Sequence, residues 1–377
     1  MINPRTITDL NKAFEATPQG FVVVDQGTPR FVVIDYETYK NLKRQEVRPP
    51  RRLKRILVTG GAGYIGSVTV RMLQQKGYEV IVLDNLSTGK KERLRDCQLV
   101  IADLADRPAL NKLFFENRID AVMHFAALIE SEESIMDPGK YFQNNVTSGL
   151  NLLDAMLEHG VYKLIFSSSA AVYGEPRVLP VGEQAPCDPK NPYGESKLAF
   201  ERVLKWYHEA YGLHSIGLRY FNAAGAWPEE GLGFLNTSSE SHLIPRVLEV
   251  ARGQTAEIVV NGQDYPTVDG TCVRDYVHVL DLAEAHVRAL EKLEALNGSY
   301  TYNVGTGAGY SILEVIDAAV EITGKMIPMK FGPRRAGDPS RLVADPTKIQ
   351  KDFNWRPKYD LRSILESAWR WQNENSN

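Results

Sequence analysis

From residue 55 onward, continuous runs of apolar residues alternate with amphipathic stretches. The apolar runs cover residues 55–60, 79–84, 99–103, 121–126, 163–169 and 215–222. Strands that are buried on both faces have this pattern, and they belong to parallel sheets covered by helices. The intervening segments fit helices, as at Asp106-Arg107-Pro108, where an Asp cap precedes a proline in the first turn. The pattern predicts an α/β fold with a doubly wound parallel sheet over residues 55–225.

After residue 226 the alternation loosens, and Gly and Pro become more frequent. This change predicts a smaller, less regular lobe over residues 226–377, with residues 272–310 returning to the first domain. The lobe would be the place where a substrate meets the sheet. The sequence contains no internal repeat and no low-complexity tract that would suggest another architecture.

The segment before residue 55 has a different pattern. Residues 1–45 predict a small α+β unit with a helix over 8–16, a hairpin that turns at Gln26–Pro29 and a helix over 36–44. A unit of about 45 residues buries little apolar surface, so we expect it to dimerise or to pack on the rest of the chain.

A basic segment with two prolines follows this unit at residues 46–54. Proline and charge favour a solvated linker there. A nucleic-acid patch is the alternative, but no aromatic residues are interleaved with the basic ones.

Composition narrows the class of protein. The chain has 377 residues, 43% hydrophobic and 24% charged, which excludes a disordered tail, a collagen-like chain and a small disulfide scaffold. Its net charge of −3 gives no overall attraction to nucleic acid or to an anionic membrane. No apolar run approaches the ~18 residues of a membrane span, and residues 1–5 lack the apolar core of a signal peptide. Three distant cysteines form no CxxC pair, so we expect no disulfide framework, no metal site and a cytoplasmic location.

Glycines recur at three-residue intervals where the first apolar run ends. Gly60, Gly63 and Gly66 allow a tight turn, close approach of a pyrophosphate and close packing of a helix on the sheet. Asp84 ends the next run, 18 residues after Gly66. A carboxylate there accepts hydrogen bonds from an adenosine ribose and repels a 2′-phosphate. The pattern predicts an NAD site; the alternative is a glycine turn that serves only helix–sheet packing.

Tyr193 and Lys197 have the YxxxK spacing that places a cation one helical turn from a phenol. A nearby cation lowers the pKa of a phenol and makes it a usable base. The spacing alone is weak, because Tyr36/Lys40 and Tyr39/Lys43 share it, and we interpret those pairs as solvated helix faces. Tyr193 differs because Ser169 ends a buried apolar run, where a polar site in an α/β sheet is expected.

Several stretches carry a family resemblance: VTGGAGYIGS, FSSSAAVYGE, NPYGESK, LRYFNAAGA, DYPTVDGTCVRDYVHVLDLA, YNVGTG and PRRAGD. From about residue 54 to 374 the chain resembles the extended short-chain dehydrogenase/reductase family, which has a Rossmann fold, and within it the UDP-glucose 4-epimerases. The resemblance implies that Tyr193 takes the proton of the sugar 4-hydroxyl while hydride passes from C4 to NAD. The 4-keto sugar then turns, and hydride returns to its other face. Lys197 would hold the nicotinamide ribose and tune Tyr193, and Ser169 would orient the sugar oxygen.

The resemblance also implies contacts beyond these three residues. In chain order, the pyrophosphate, adenosine ribose, adenine and nicotinamide would be contacted by Tyr64, Ile65, Asp84, Asn85, Ser87, Thr88, Gly89, Asp103, Leu104, Phe125, Ala126, Ala127, Asn144 and Phe221. The UDP-sugar would be contacted by Asn222, His242, Leu243, Val259, Val260, Asn261, Arg274, Arg335, Asp338 and Leu342. Two arginines near a diphosphate make physical sense, since the guanidinium fork pairs with phosphate oxygens.

Five positions depart from patterns seen in the family or in its relatives. Ile129 stands where some members have a cofactor-binding Lys, and His242 replaces an Asn. Leu342 lies where some members have a Tyr that narrows the sugar pocket, so an N-acetylated sugar is a candidate substrate. Ala170 and Ala171 occupy the places of the extra acid and base of sugar-nucleotide dehydratases, which disfavours dehydration.

Alternatives remain at this point. The substrate could be another UDP-sugar: a UDP-pentose, a UDP-uronate or a UDP-N-acetylhexosamine. Residues 1–45 resemble the N-terminal unit of Phd/YefM-type antitoxins, ending at Asp35–Tyr39, so a toxin, a nucleic acid or a sensing role is a further candidate. An appended packing or dimerisation element is the simpler interpretation of that unit. The resemblance to the epimerases implies a homodimer through helices around residues 140–159 and 193–211.

Overall fold

The computed structural model describes residues 54–234, 242–335 and 337–374, and the backbone of residues 21–25 and 28–33. The chain forms two compact units, Met1–Arg52 and Leu53–Asn377. In the first unit, β1 (Phe21–Asp25) and β2 (Thr28–Val33) pair antiparallel, which confirms the predicted hairpin. The predicted helices over 8–16 and 36–44 lie outside the described residues, as does most of the linker.

The second unit contains the remaining strands and the helices. The strands are β3 (Arg55–Thr59), β4 (Glu79–Asp84), β5 (Gln98–Ile101), β6 (Ala121–His124), β7 (Lys163–Ser169), β8 (His214–Tyr220), β9 (Asn222–Ala224), β10 (Ile258–Asn261), β11 (Val273–His278), β12 (Ser299–Val304), β13 (Gly309–Ser311), β14 (Met329–Gly332) and β15 (Arg341–Leu342). The α-helices are α1 (Tyr64–Gln75), α2 (Arg107–Glu116), α3 (Ser131–Met136), α4 (Pro138–Phe142), α5 (Ser148–Glu158), α6 (Pro192–Tyr211), α7 (Leu243–Ala251), α8 (Val279–Leu293), α9 (Ile312–Thr323), α10 (Thr347–Phe353) and α11 (Leu361–Glu374).

A seven-stranded parallel sheet forms the centre of this unit, in the order β12-β8-β7-β6-β3-β4-β5. Along β3, Ile56 and Val58 pack on one face with α1, α8 and α10, while Leu57 packs on the other with α2, α5 and α6. Both faces are therefore buried, which explains why the strands are apolar throughout. The strand order reverses between β3 and β6, and ligands bind at such reversals in open α/β sheets. The doubly wound sheet predicted from the sequence is confirmed.

The helix starts at Asp106 and Asn191 also agree with prediction. The Asp106 carboxylate accepts a hydrogen bond from the Ala109 N–H, and the Asn191 side chain accepts one from Gly194. Each cap is followed by a proline within the first turn. These caps satisfy N–H groups that the first helical turn leaves without partners.

One predicted strand divides in two. The run 215–222 was expected to be continuous, but β8 ends at Tyr220 and Asn222 begins β9, which pairs with β11 in a separate sheet. Phe221 donates its N–H to the carbonyl of Val304 at the break. The apolar pattern does not reveal this change of partner, because both sides of the break are buried.

A smaller lobe holds β9, β10, β11 and β13–β15 together with α7, α9 and α11. Its core is separate from the two layers of the central sheet and includes Ile244, Ile258, Val315 and Ile364. β12, which follows α8, returns to the edge of the central sheet beside β8. None of the helices in the described part of the chain combines the length and apolar composition that a bilayer crossing requires.

Candidate active site

A cavity of about 540 Å³ opens where the central sheet meets the smaller lobe. It runs along the carboxyl ends of the strands that flank the reversal of strand order. The predicted cofactor residues that line it are Gly60, Gly63, Tyr64, Ile65, Gly66, Asp84, Asn85, Ser87, Thr88, Asp103, Leu104, Phe125, Ala126, Ala127, Asn144, Tyr193, Lys197 and Phe221. The predicted substrate residues that line it are Ser169, Asn222, His242, Leu243, Arg274, Arg335, Asp338 and Leu342.

Four predicted residues do not line this cavity. Gly89 lies behind its wall, where an added Cβ would be 2.8 Å from the Cβ of Ala62. Val259, Val260 and Asn261 are on β10, which pairs with β14, and Val260 is fully buried in the core of the lobe. The resemblance assigned these positions from the sequence motifs alone, which do not show how each residue packs in this chain.

Other lining residues were missed by the sequence analysis. Among them are Arg93, Glu130, Glu132, Lys190 and Cys272. Glu130 and Glu132 follow β6 at the carboxyl edge of the sheet, and polar residues in that place are a usable signal. Arg93 and Lys190 lie in connecting segments whose path the sequence does not specify.

The glycine turn forms one end of the cavity. Gly60 has a φ of +71°, a conformation that favours glycine, and its N–H donates to the Leu83 carbonyl at 2.9 Å. The helix α1 begins directly after Gly63, without a side-chain cap and without an acidic residue in its first turn. Its N–H groups and the positive end of its dipole therefore face the cavity, as a pyrophosphate requires.

Asp84 does more than the sequence suggested. Its carboxylate accepts hydrogen bonds from the Ala62 N–H at 2.9 Å and the Leu86 N–H at 2.8 Å, so it also braces the glycine turn. Beside it, the Asn85 side chain donates to the Asp103 carboxylate at 2.7 Å. A carboxylate has about four acceptor positions, which leaves capacity for a ribose hydroxyl.

Tyr193, Lys197 and Ser169 come together at the middle of the cavity. Burial raises the pKa of Tyr193, a hydrogen bond with the Ser169 side chain lowers it, and the charge of Glu130 raises it further. The Lys197 Nζ donates to the Ser167 carbonyl at 2.9 Å and lies 5.9 Å from the centre of the Tyr193 ring.

The lowering of the Tyr193 pKa by Lys197 stays a prediction, since the causes of the pKa shift in the structure are burial, Ser169 and Glu130. The net direction is upward, and Ser169 is the neighbour that opposes the effect of burial. Burial also lowers the pKa of Lys197 to about 7. Lys197 is therefore only partly charged near neutral pH, which weakens the influence that the spacing implied.

Cationic and unsatisfied groups mark the other end of the cavity. The Arg274 Nη1 atom donates to the Val273 and Pro339 carbonyls, and its Nη2 atom forms an ion pair with an Asp338 carboxylate oxygen at 3.4 Å, without a hydrogen bond to any described residue. The Nδ1 atom of His242 is buried without one as well, and burial lowers the His242 pKa to about 4. Buried polar atoms without hydrogen bonds are rare, so the His242 nitrogen, beside the Arg274–Asp338 ion pair, suits a polar ligand such as a diphosphate.

Arg335 lies across the cavity from α3. Its Nε is 3.0 Å from a carboxylate oxygen of Glu132. Near Arg335, the side wall is apolar and includes Phe221, Ala170 and Leu342, which pack in one cluster. The cavity thus offers a helix N-terminus at one end, arginines at the other and a phenol between them.

A family model, curated relatives and solved structures are similar to most of this chain. The NAD dependent epimerase/dehydratase family model matches residues 56–305. A UDP-glucose 4-epimerase of Halalkalibacterium halodurans is 49% identical over 321 residues, which span 85% of this chain and 96% of that relative. The crystal structure of UDP-glucose 4-epimerase from Bifidobacterium longum with NAD⁺ and UDP is similar at a TM-score of 0.82 and 40% identity, covering 86% of this chain and 99% of that one. The UDP-Glc/GlcNAc 4-epimerase of Campylobacter jejuni matches at a TM-score of 0.74 and 42% identity, covering 85% and 99%.

Proposed function

We propose a function for this chain, which belongs to the NAD dependent epimerase/dehydratase family and, within that family, to the UDP-glucose 4-epimerases. The proposal is that it interconverts UDP-glucose and UDP-galactose by inverting the sugar at C4. The observation that supports it most directly is the contact of Tyr193 with Ser169, beside Lys197, between the helix N-terminus and the arginine pair. This order of groups matches the order in which NAD and a UDP-sugar would meet.

The cavity fits NAD at the end that the glycine turn forms. The uncapped N-terminus of α1 suits the pyrophosphate, and Asp84 is placed for the adenosine ribose. Phe125, Ala126 and Asn144 would lie along the nicotinamide. When bound, NAD supplies the acceptor and donor of the C4 hydride.

Tyr193 and Ser169, which with Lys197 form the central group of the cavity, have separate tasks. The Tyr193 phenolate oxygen takes the proton of the sugar 4-hydroxyl and returns it after the sugar has turned. Ser169 orients that sugar oxygen and stabilises the phenolate through its hydrogen bond. Arg274 and Arg335 hold the diphosphate, so that the sugar turns while the nucleotide stays in place. The side chains of Ala170 and Ala171 have no ionisable group that could donate or accept a proton, which argues against dehydration.

The experiment is proton NMR of the purified protein with UDP-galactose and no added cofactor. We expect the UDP-glucose anomeric signal to grow, and Tyr193→Phe to reduce the rate about 100-fold or more, because a general base is lost. Tyr39→Phe is the matched control, since Tyr39 and Lys43 have the same spacing. The proposal fails if the protein does not convert UDP-galactose even with NAD⁺ added, or if both variants keep the full rate.

The same assay decides the substrate range. Leu342 lies in the apolar wall of the cavity, where a smaller side chain than Tyr leaves space for an N-acetyl group. We propose that UDP-N-acetylglucosamine is a second substrate. A turnover rate for UDP-N-acetylglucosamine below about one thousandth of the UDP-glucose rate would exclude this second substrate. Parallel assays with a UDP-pentose and a UDP-uronate test the remaining alternatives.

We extend the proposal to domain roles and assembly. Residues 55–225 with 272–310 would bind NAD, and residues 226–377 would bind the UDP-sugar. A homodimer through helices around 140–159 and 193–211 is supported by Trp206 and Tyr211, which are 70% and 55% exposed on α6. Cys97, Cys187 and Cys272 are free thiols, which suits the reducing cytoplasm. The proposed interconversion of UDP-glucose and UDP-galactose would give the protein a role in galactose metabolism.

A further inference from the structure

The last three residues of β7 are all held by one face of α6. The Ser167 carbonyl accepts from Lys197, the Ser168 hydroxyl donates to Glu201 at 2.6 Å, and Ser169 hydrogen bonds Tyr193. Tyr193, Lys197 and Glu201 are four residues apart, so they share that face. Two of these three links involve the central group of the cavity, whereas the link through Glu201 has no role in the proposed chemistry.

Arg219 fixes Glu201 in place from the neighbouring strand. Its Nε and Nη2 atoms donate to the two carboxylate oxygens of Glu201 at 2.9 and 2.7 Å. Arg219 is the direct partner of Ser168 in the pairing of β7 with β8. Only 5% of Arg219 and 9% of Glu201 are exposed. The ion pair therefore ties α6 to both strands at one level of the sheet.

The network continues to the edge strand of the sheet. The Arg219 Nη1 donates to the Tyr173 hydroxyl at 2.8 Å, and that hydroxyl donates to the Asn303 side chain on β12 at 2.7 Å. Arg219 also lies over the Tyr173 ring, 4.9 Å from its centre. The segment 170–173 follows Ser169 directly, so the network holds the chain on both sides of that serine.

Stability alone does not explain a buried ion pair. Removing two charges from water costs several kcal/mol, and packed apolar residues in the same place are often at least as stabilising. A bidentate pair does, however, fix the distance and the angle between the elements that it joins. Glu201 and Arg219 do not line the cavity that the described residues form, so they act on it only through their neighbours.

We propose that Glu201 is a positioning residue: held by Arg219, it fixes the end of β7 against α6 and thereby sets the contact between Ser169 and Tyr193. The inference rests on the proposed function, because that contact matters only if Tyr193 is the base. It adds two residues, Glu201 and Ser168, to those on which the rate depends.

Ser168→Ala tests the inference, since it removes the link to Glu201 and leaves the ion pair with Arg219 in place. Ser215→Ala is the matched control. Ser215 is also a buried serine in the central sheet and donates to Ser299 at 2.8 Å, but it lies at the start of β8, away from the cavity. Glu201→Gln, which keeps an acceptor for Ser168 but weakens the pair, is the second variant.

The first readout is the pKa of Tyr193, measured by NMR of ¹³C-labelled tyrosine with the signal assigned through Tyr193→Phe. We expect Ser168→Ala to raise this pKa, because the Ser169 hydrogen bond that lowers it is weakened, and Ser215→Ala to leave it unchanged. The second readout is turnover: kcat falls about tenfold in Ser168→Ala with an unchanged KM, and Glu201→Gln shows the same pattern.

An unchanged Tyr193 pKa in Ser168→Ala, or equal effects of Ser168→Ala and Ser215→Ala, would overturn the inference. A fall in kcat that only follows a loss of folded protein, measured by thermal unfolding, would overturn it as well. The pKa readout needs no turnover, so the two proposals separate. A shifted pKa in a protein that does not epimerise UDP-galactose would support the positioning and refute the proposed function.

Discussion

At the scale of single residues, the environment of Tyr193 decides the chemistry. Burial raises its pKa, while Ser169 and Glu130 act in opposite directions on it. A phenol with a raised pKa is mostly protonated at neutral pH, so the rate there depends on the groups that set the fraction of phenolate. Glu130 is the neighbour whose effect a single substitution removes most cleanly, because it lines the cavity without being a proposed ligand contact.

Glu130→Gln is expected to shift the pH dependence of kcat. The charge of Glu130 raises the Tyr193 pKa, so removing that charge lowers the pKa and leaves Tyr193 deprotonated at a lower pH. The acid limb of kcat therefore moves to lower pH, and the rate on that limb rises. Measurement of kcat between pH 5 and pH 9 checks this.

Glu133→Gln is the control for this shift. Glu133 lies on α3, the short helix that begins directly after Glu130, but it accepts hydrogen bonds from Lys140 and Tyr141 and does not act on Tyr193. Its acid limb should coincide with that of the unmodified protein. A shift to higher pH in Glu130→Gln, or equal shifts in both variants, would contradict the assignment.

At the scale of elements, the approach of α1 to the glycine turn shapes the cofactor end of the cavity. An added Cβ at Gly66 would lie 2.2 Å from the Gly60 carbonyl oxygen. Backbone atoms cannot yield as a flexible side chain can, so the helix itself would have to move. Its N-terminus is the part that faces the cavity, and the fit of the pyrophosphate depends on its position.

Gly66→Ala is therefore expected to lower the free energy of unfolding by about 1–3 kcal/mol and to weaken retention of NAD. Urea unfolding and the ratio of absorbance at 260 and 280 nm measure the two effects. Gly139→Ala on α4 is the control, because its nearest neighbour to an added Cβ is 3.9 Å away. Its stability should change by less than about 0.5 kcal/mol. Equal stability of Gly66→Ala and the unmodified protein would contradict this prediction, because it would mean that the turn can accommodate a Cβ atom at this position.

At the scale of the whole molecule, the chain divides into two units at residues 52 and 53. The family match begins at residue 56, so the second unit carries all the matched residues. The described side chains that line the candidate site also belong to that unit. We therefore propose that the N-terminal unit, which contains the antiparallel hairpin, has a role separate from the proposed reaction.

Deletion of residues 1–52 is expected to leave kcat/KM for UDP-galactose within about twofold of the full chain, because no site residue is removed. Sedimentation of both proteins shows in parallel whether the proposed dimer forms and whether it needs the N-terminal unit. Loss of activity in a folded truncated protein would contradict the separation of roles. Loss of the dimer alone would identify residues 1–52 as a dimerisation element.

The sheet, the glycine turn and the helix face that carries Tyr193 and Lys197 could be predicted from local patterns in the sequence. Apolar runs predict strands buried on both faces, since burial on two sides leaves no polar positions to alternate. The spacing of Gly60, Gly63 and Gly66 and of Tyr193 and Lys197 is local, so it fixes a turn and a helix face without any tertiary contact. These features were therefore predictable before the fold was known.

The way in which these parts act on one another depends on tertiary packing. The break between β8 and β9, the turning of Val260 into the core and the approach of Glu130 to Tyr193 depend on residues distant in sequence. The direction of the Tyr193 pKa also follows from burial, which no spacing rule contains. The buried pair of Glu201 and Arg219 joins a helix to a strand that follows it, and its link to Ser168 appears only when β7 and β8 are paired in register. Features that depend on local spacing can be predicted from the sequence, whereas the electrostatics of the site and the alignment of its residues arise from packing.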